Sequence, residues 1–233
     1  MSRRRLGRDF GWLWGAYAVS AYGSWLGFGA FPLIAIRVLH AGPSEVSALS
    51  AVGTAAGAVV AVPLGPWVEF RRKRPVMIAM DLIRFAALAT IPAAYWLGGL
   101  SLAQMMIVSV ISAAATIGFR SASGAYLKQI VPREDLLIAN GRMASVNWSS
   151  SVLGPPLGGA AIGLFGPTVT VLADAVSYLL SALGITAIAG HREPRPESRT
   201  ADGEVRPLLA DVVVGWRYIR VTRSCGTCSR TRF

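Results

Sequence analysis

Five polar residues, Ser109, Ser112, Thr116, Arg120 and Ser123, recur at intervals of 3, 4, 4 and 3 in an otherwise apolar stretch. At about 100° per residue they fall within an arc of about 80° on one helix face. A polar stripe that includes an arginine does not face lipid; it faces a bundle interior or a wet cavity. These residues are therefore candidates to line a cavity, with Arg120 as the charge that could take part in coupling. Upstream, Asp81 and Arg84 stand at i, i+3 and can pair on one helix. Such a pair either fastens helices together or offers a carboxylate that titrates during work; both uses stay open. Asp174, with Ser177 and Tyr178 nearby, reads as a carboxylate near the outer end of its helix, facing interfacial water. Three pairs of glycines, Gly23 and Gly27, Gly53 and Gly57, and Gly154 and Gly158, each stand four apart. That spacing lets two helices approach closely in lipid.

The elements that must position these residues are long and apolar. Hydrophobic residues make up 53% of the 233 and charged ones only 15%, against about 25% charged in soluble domains; mean hydropathy is +0.50. Six segments reach the ~20 residues a membrane-spanning helix needs: 11–36, 46–68, 75–97, 102–126, 142–165 and 167–189. Their joins carry turn residues, as at Ala41-Gly42-Pro43, Gly98-Gly99 and Gly166-Pro167. The expected fold class is an all-α membrane protein with six transmembrane helices over residues 10–189. Residues 1–9 precede them, residues 190–207 form a polar linker, and residues 208–220 form an amphipathic helix. Residues 221–233 are an atypical tail without periodicity, expected to mark a truncated or frameshifted product.

The net charge of +11 could indicate nucleic acid, but the basic residues border the apolar runs instead of forming one face. Arg3, Arg4, Arg5 and Arg8, then Arg71 to Arg74, Lys128 and Arg133, and Arg192, Arg195 and Arg199 fall on one side; Arg37 falls on the other. The positive-inside rule then predicts a multi-pass plasma-membrane protein with both termini cytoplasmic. The first apolar run is too long for a signal peptide. Cys225 and Cys228 lack the further ligands of a zinc site. His40 and His191 sit at span ends, and no hydrolase motif is present. The reading is therefore of a non-enzyme without metal or cofactor.

Three stretches resemble the major facilitator superfamily. Gly65, Glu69, Lys73 and Arg74 are similar to the gating-loop signature between its second and third helices, here with Phe70 and Arg72 departing from the pattern. Arg120-Ser121-Ala122-Ser123-Gly124 resembles the family's Arg-x-x-Gln-Gly stretch, with Ser123 for Gln. Gly141, Gly154-Pro155 and Gly158-Gly159 fall on the antiporter signature of the fifth helix, with Ser150 departing. The resemblance is closest to the drug and siderophore exporter branch, which includes the enterobactin exporter and macrolide efflux proteins. It implies the N-terminal half of the family fold, built as inverted three-helix repeats. It also implies antiport: efflux of a small amphiphilic drug or siderophore-like molecule against protons, and so drug resistance. Arg120 would couple the proton, with Asp81 and its partner Arg84 as the acidic candidates, and the glycines and Pro155 would form a bend. The implied partners are small-molecule substrate, protons, the lipid bilayer and a C-terminal half. The alternative is a non-transporting fragment or a half-transporter that needs such a partner half.

Overall fold

The structure, a computed structural model, describes residues 6–69 and 71–188, without the side chains of residues 58 and 60–69. The linker, amphipathic helix and tail expected beyond residue 189 lie outside the described residues. Among the described residues seven helices follow in order: α1 (Arg8–Gly27), α2 (Ala30–Val38), α3 (Pro43–Glu69), α4 (Lys73–Trp96), α5 (Leu102–Ile130), α6 (Leu136–Phe165) and α7 (Pro167–Thr186). A 3-10 turn, Arg133–Asp135, leads into α6. No strand occurs among the described residues.

Helices α1 and α2 together make one span. The sequence predicts an unbroken helix over 11–36, but the structure breaks it at Phe28 and Gly29. The reason lies four residues on. Pro32 has no N–H to offer the carbonyl of Phe28, and its ring crowds that carbonyl. Four spans are long and apolar enough by composition to cross a membrane: Arg8–Val38, α4, α5 and α7. Helices α3 and α6, of 27 and 30 residues, match them in length and complete six crossings. Helix α6 begins at Leu136, six residues ahead of the sequence-based boundary at Arg142. Asn140 helps to bridge the difference, because its Nδ2 donates to the Leu136 carbonyl at 2.9 Å.

The hairpin from α6 to α7 turns on a single residue. Gly166 takes φ +84, a conformation that a side chain would strain, and Pro167 opens the next helix. Ser101 caps α5, its Oγ accepting from the Gln104 N–H at 3.2 Å.

Helix α4 packs against α5 and α7, α1 against α6 and α7, and α3 against α5. The scheme maps onto itself when α1–α2 is exchanged with α5, α3 with α6 and α4 with α7. Since α1 starts where α5 ends, the two three-helix repeats are inverted. This is the half-bundle the sequence predicts.

Two apolar clusters fill the interior. One gathers Phe10, Leu13, Met77, Phe119 and Ile185 at the end carrying Arg8 and Lys73. The other gathers Ile34, Leu88, Ile91, Met105 and Val171 at the opposite end. Along α4 and α7 a polar layer separates them. Large apolar side chains also cover the outside, with Trp148 and Leu164 at 70% and 79% exposure. A bundle surrounded by lipid carries its apolar surface there.

Candidate functional site

The polar layer centres on Asp81 and Arg84 of α4, which are buried and joined by an Arg84 Nη2 to Asp81 Oδ1 bond of 2.9 Å. The i, i+3 spacing makes the pairing local, and the neighbours fix its surroundings. The Arg84 guanidinium lies 4.9 Å from the Phe119 ring centroid of α5 and 4.5 Å from the Tyr178 ring centroid of α7. Cation–π contact of this kind stabilises a guanidinium withdrawn from water. The Tyr178 hydroxyl meets Ser24 Oγ of α1 at 2.7 Å. The layer thus ties α1, α4, α5 and α7 together.

Asp174 departs from the expectation of a carboxylate facing interfacial water. It is 6% exposed, and Arg84 acts on it electrostatically as well as on Asp81. The glycines of α1 make the room for it. A Cβ on Gly27 would lie 2.8 Å from Asp174 Oδ2, and one on Gly23 would collide with Ser177. The Gly23–Gly27 face is therefore the seat of Asp174 and Ser177. Arg84 is thus ion-paired with Asp81 and acts on Asp174 at longer range. Around this cluster Asp81 Oδ2, Arg84 Nε and Ser181 Oγ are buried without a hydrogen-bond partner among the described residues. Unsatisfied buried polar atoms are costly, and three of them gather about one ion pair.

The polar stripe of α5 divides along its length. Ser109 lies where a Cβ on Gly53 of α3 would fall, so it takes part in a helix–helix seat. Ser112 Oγ is buried without a hydrogen-bond partner among the described residues. Thr116 donates to the Ser112 carbonyl at 2.7 Å and, with Arg120, lines a cavity of about 270 Å³ between α1 and α5. Arg84, Tyr178, Trp25 and Phe28 border the same space. Ser123 donates to the Arg120 carbonyl at 3.1 Å and lines an adjoining cavity of about 310 Å³. Tyr17, Arg120 and Asn147 are common to both. The Arg120 side chain is exposed on this face.

The glycines of α6 separate into two kinds. Gly154 faces Trp25, and Gly158 faces the Leu26 backbone, so both seat α6 on α1. Gly141 and Gly159 have nothing within 4 Å of a built Cβ. Pro155 lies inside α6, which runs on as one helix. Under the inverted repeat, the Gly154–Gly158 seat on α1 corresponds to the Gly53–Gly57 seat on α5.

Gly65 and Glu69, expected in a loop, lie instead in the last turns of α3, and the Glu69 side chain lies outside the described residues. Lys73 donates to the Arg71 carbonyl at 2.9 Å. Arg74 reaches across to the end of α7, with Nε to the Ile185 carbonyl at 3.1 Å and Nη2 to the Thr186 carbonyl at 2.6 Å. The Thr186 carbonyl is one that the last helical turn leaves without a helical donor, whereas the Ile185 carbonyl also accepts from the Ile188 N–H at 3.2 Å.

Sequence reasoning found Asp81, Arg84 and Arg120 but missed Asp174, Tyr178 and Ser24 as members of the same assembly. The available signal was a carboxylate seven residues inside a 20-residue apolar helix. At 1.5 Å per residue that is about 10 Å from the helix end, too deep for a group resting at the surface. A family model described as Major Facilitator Superfamily matches residues 13–225. Comparison with curated proteins finds no match.

Proposed function

The chain belongs to the major facilitator superfamily of membrane transporters, and on that footing we propose that it exports a small amphiphilic molecule in exchange for protons. The observation that carries this reading is the double position of Arg84. On one side it pairs with buried Asp81, and on the other it borders the cavity that holds Arg120. A proton taken up by a carboxylate of the pair would release the guanidinium, and the cavity wall would register the change. Arg120 is the coupling charge on that wall, and Asp81 is the acid that carries the proton.

The distribution of basic residues supports a plasma-membrane orientation with Arg8, Lys73, Arg74 and Lys128 at the cytoplasmic face. At that face Arg74 latches α4 to the end of α7, a contact that must yield when the bundle opens there. In α6, Pro155 and Pro156 leave the carbonyls of Ser151 and Val152 without their helical donors. That softness, one turn from the free space at Gly159, supports a bend in this helix during transport.

Everted membrane vesicles carrying the chain test the reading. With an imposed proton gradient, uptake of the xanthene dyes fluorescein and rhodamine 123 is followed with and without an uncoupler. At least one dye is expected to accumulate in a gradient-dependent way. Arg120→Ala should abolish accumulation while the protein still inserts. Uptake indifferent to the uncoupler, or gradient-dependent uptake retained in Arg120→Ala, rejects the proposal.

A further inference from the structure

We infer that the cavity beside α1, α5 and α6 selects amphiphiles bearing an anionic group, a carboxylate, sulfonate or phosphate on an aromatic or aliphatic body; this rests on the transport reading above. Both lobes share Arg120, and Arg84 borders one of them. Among the described residues neither lobe has an aspartate or glutamate in its wall. The two carboxylates nearby, Asp81 and Asp174, are sealed at 0% and 6% exposure.

The two guanidiniums differ. Arg84 is matched by Asp81 at 2.9 Å. Arg120 has no side-chain hydrogen bond or ion pair among the described residues. Helix α5 has 29 residues and is about 44 Å long, against a hydrocarbon layer of about 30 Å. Arg120 stands ten residues before Ile130, so a centred α5 puts it about 8 Å inside that layer. A cation at that depth needs a partner, and the described residues supply none.

The aromatic rings argue the same way. A cationic ligand would rest on ring faces, but Arg84 already lies over Phe119 and Tyr178. Trp25, Phe28 and Tyr17 remain to hold an apolar body, and Asn147 is placed to orient the polar end. The lobes, of about 270 and 310 Å³, suit a drug-sized molecule.

The test is equilibrium binding to the purified chain in nanodiscs of zwitterionic phosphatidylcholine, so that no lipid headgroup supplies a net negative charge. Fluorescein and rhodamine 123 share one skeleton and differ in charge sign. Their anisotropy is read against empty nanodiscs. Fluorescein should bind about tenfold more tightly or better, the scale of one charge-assisted contact. Arg120→Gln should erase the preference, and Arg120→Lys should keep it. Equal affinity, absence of binding by both dyes, or a preference that survives Arg120→Gln overturns the inference. No gradient is involved, so the two readings separate. Anion preference without gradient-driven flux removes the transport reading alone, and equal flux and binding of both dyes remove the selectivity alone.

Discussion

Two glycines that stand side by side in α6 should answer the same substitution in opposite ways. A Cβ added at Gly158 would lie 2.5 Å from the Leu26 carbonyl oxygen and 3.1 Å from its carbon and Cα. Carbon and carbonyl oxygen in contact stay about 3.3 Å or more apart, so α1 and α6 must separate locally by about 0.8 Å. The obstacle is backbone, which has no rotamer to escape into. A gap of that size forfeits about a quarter to a half of each affected dispersion contact, and overpacking of this kind costs about 1–3 kcal/mol. A Cβ at Gly159 would meet nothing within 4 Å. There the loss of unfolded-chain freedom alone should act, worth about 0.4–1 kcal/mol of stabilisation. The same gain offsets part of the cost at Gly158, leaving a net loss of about 1–2 kcal/mol. Unfolding in mixed micelles by titration with dodecyl sulfate, followed by circular dichroism, measures both. Gly158→Ala should unfold earlier than the parent and Gly159→Ala no earlier. Equal stability of the two variants would show that this contact between α1 and α6 is not the seat described.

The buried cluster should respond unequally to the loss of its members. Arg84→Met strands two carboxylates and should cost about 3–5 kcal/mol, whereas Asp81→Asn leaves Asp174 for the guanidinium and should cost less; the same titration ranks them, and the reverse order refutes the action of Arg84 on both. Tyr178→Phe removes the 2.7 Å contact with Ser24 and should cost about 1 kcal/mol, with Ser24→Ala no worse on top of it in a double-mutant cycle. Pro32→Ala returns a donor to the Phe28 carbonyl, so amide exchange across 28–32 should slow; unchanged exchange would mean that the break between α1 and α2 has another cause.

How much of this was readable from the residues depends on whether the deciding contact is local. The spans follow from apolar length, and the Asp81–Arg84 pair follows from a separation of three. The end of α6 follows from Gly166-Pro167. The glycine pairs announced close approach, but nothing in a pair names its partner. Gly23 and Gly27 receive α7, whereas Gly53 and Gly57 receive α5. Ser109 shows the same limit. It shares an arc with Arg120, yet the helix meets α3 at Ser109 and opens to a cavity near Arg120. Angular position fixes a face and leaves open what that face meets along its length. Asp174 was misplaced because its burial is set by α1, more than 140 residues away in sequence.

The polar layer also bears on the order in which the helices can come to rest. Helix α4 can enter the bilayer with Asp81 already neutralised by its own Arg84. Helix α7 is the last of the described helices to be synthesised, and it carries Asp174 with no counter-charge of its own. A lone carboxylate at mid-helix costs about 2.5–3.5 kcal/mol on insertion. Its relief waits on both the glycine face of α1 and the guanidinium of α4, held in place until α7 arrives. Biogenesis of the bundle is therefore a closing step in which the final helix joins the first, and lengthening or stiffening the path to α7 should delay it.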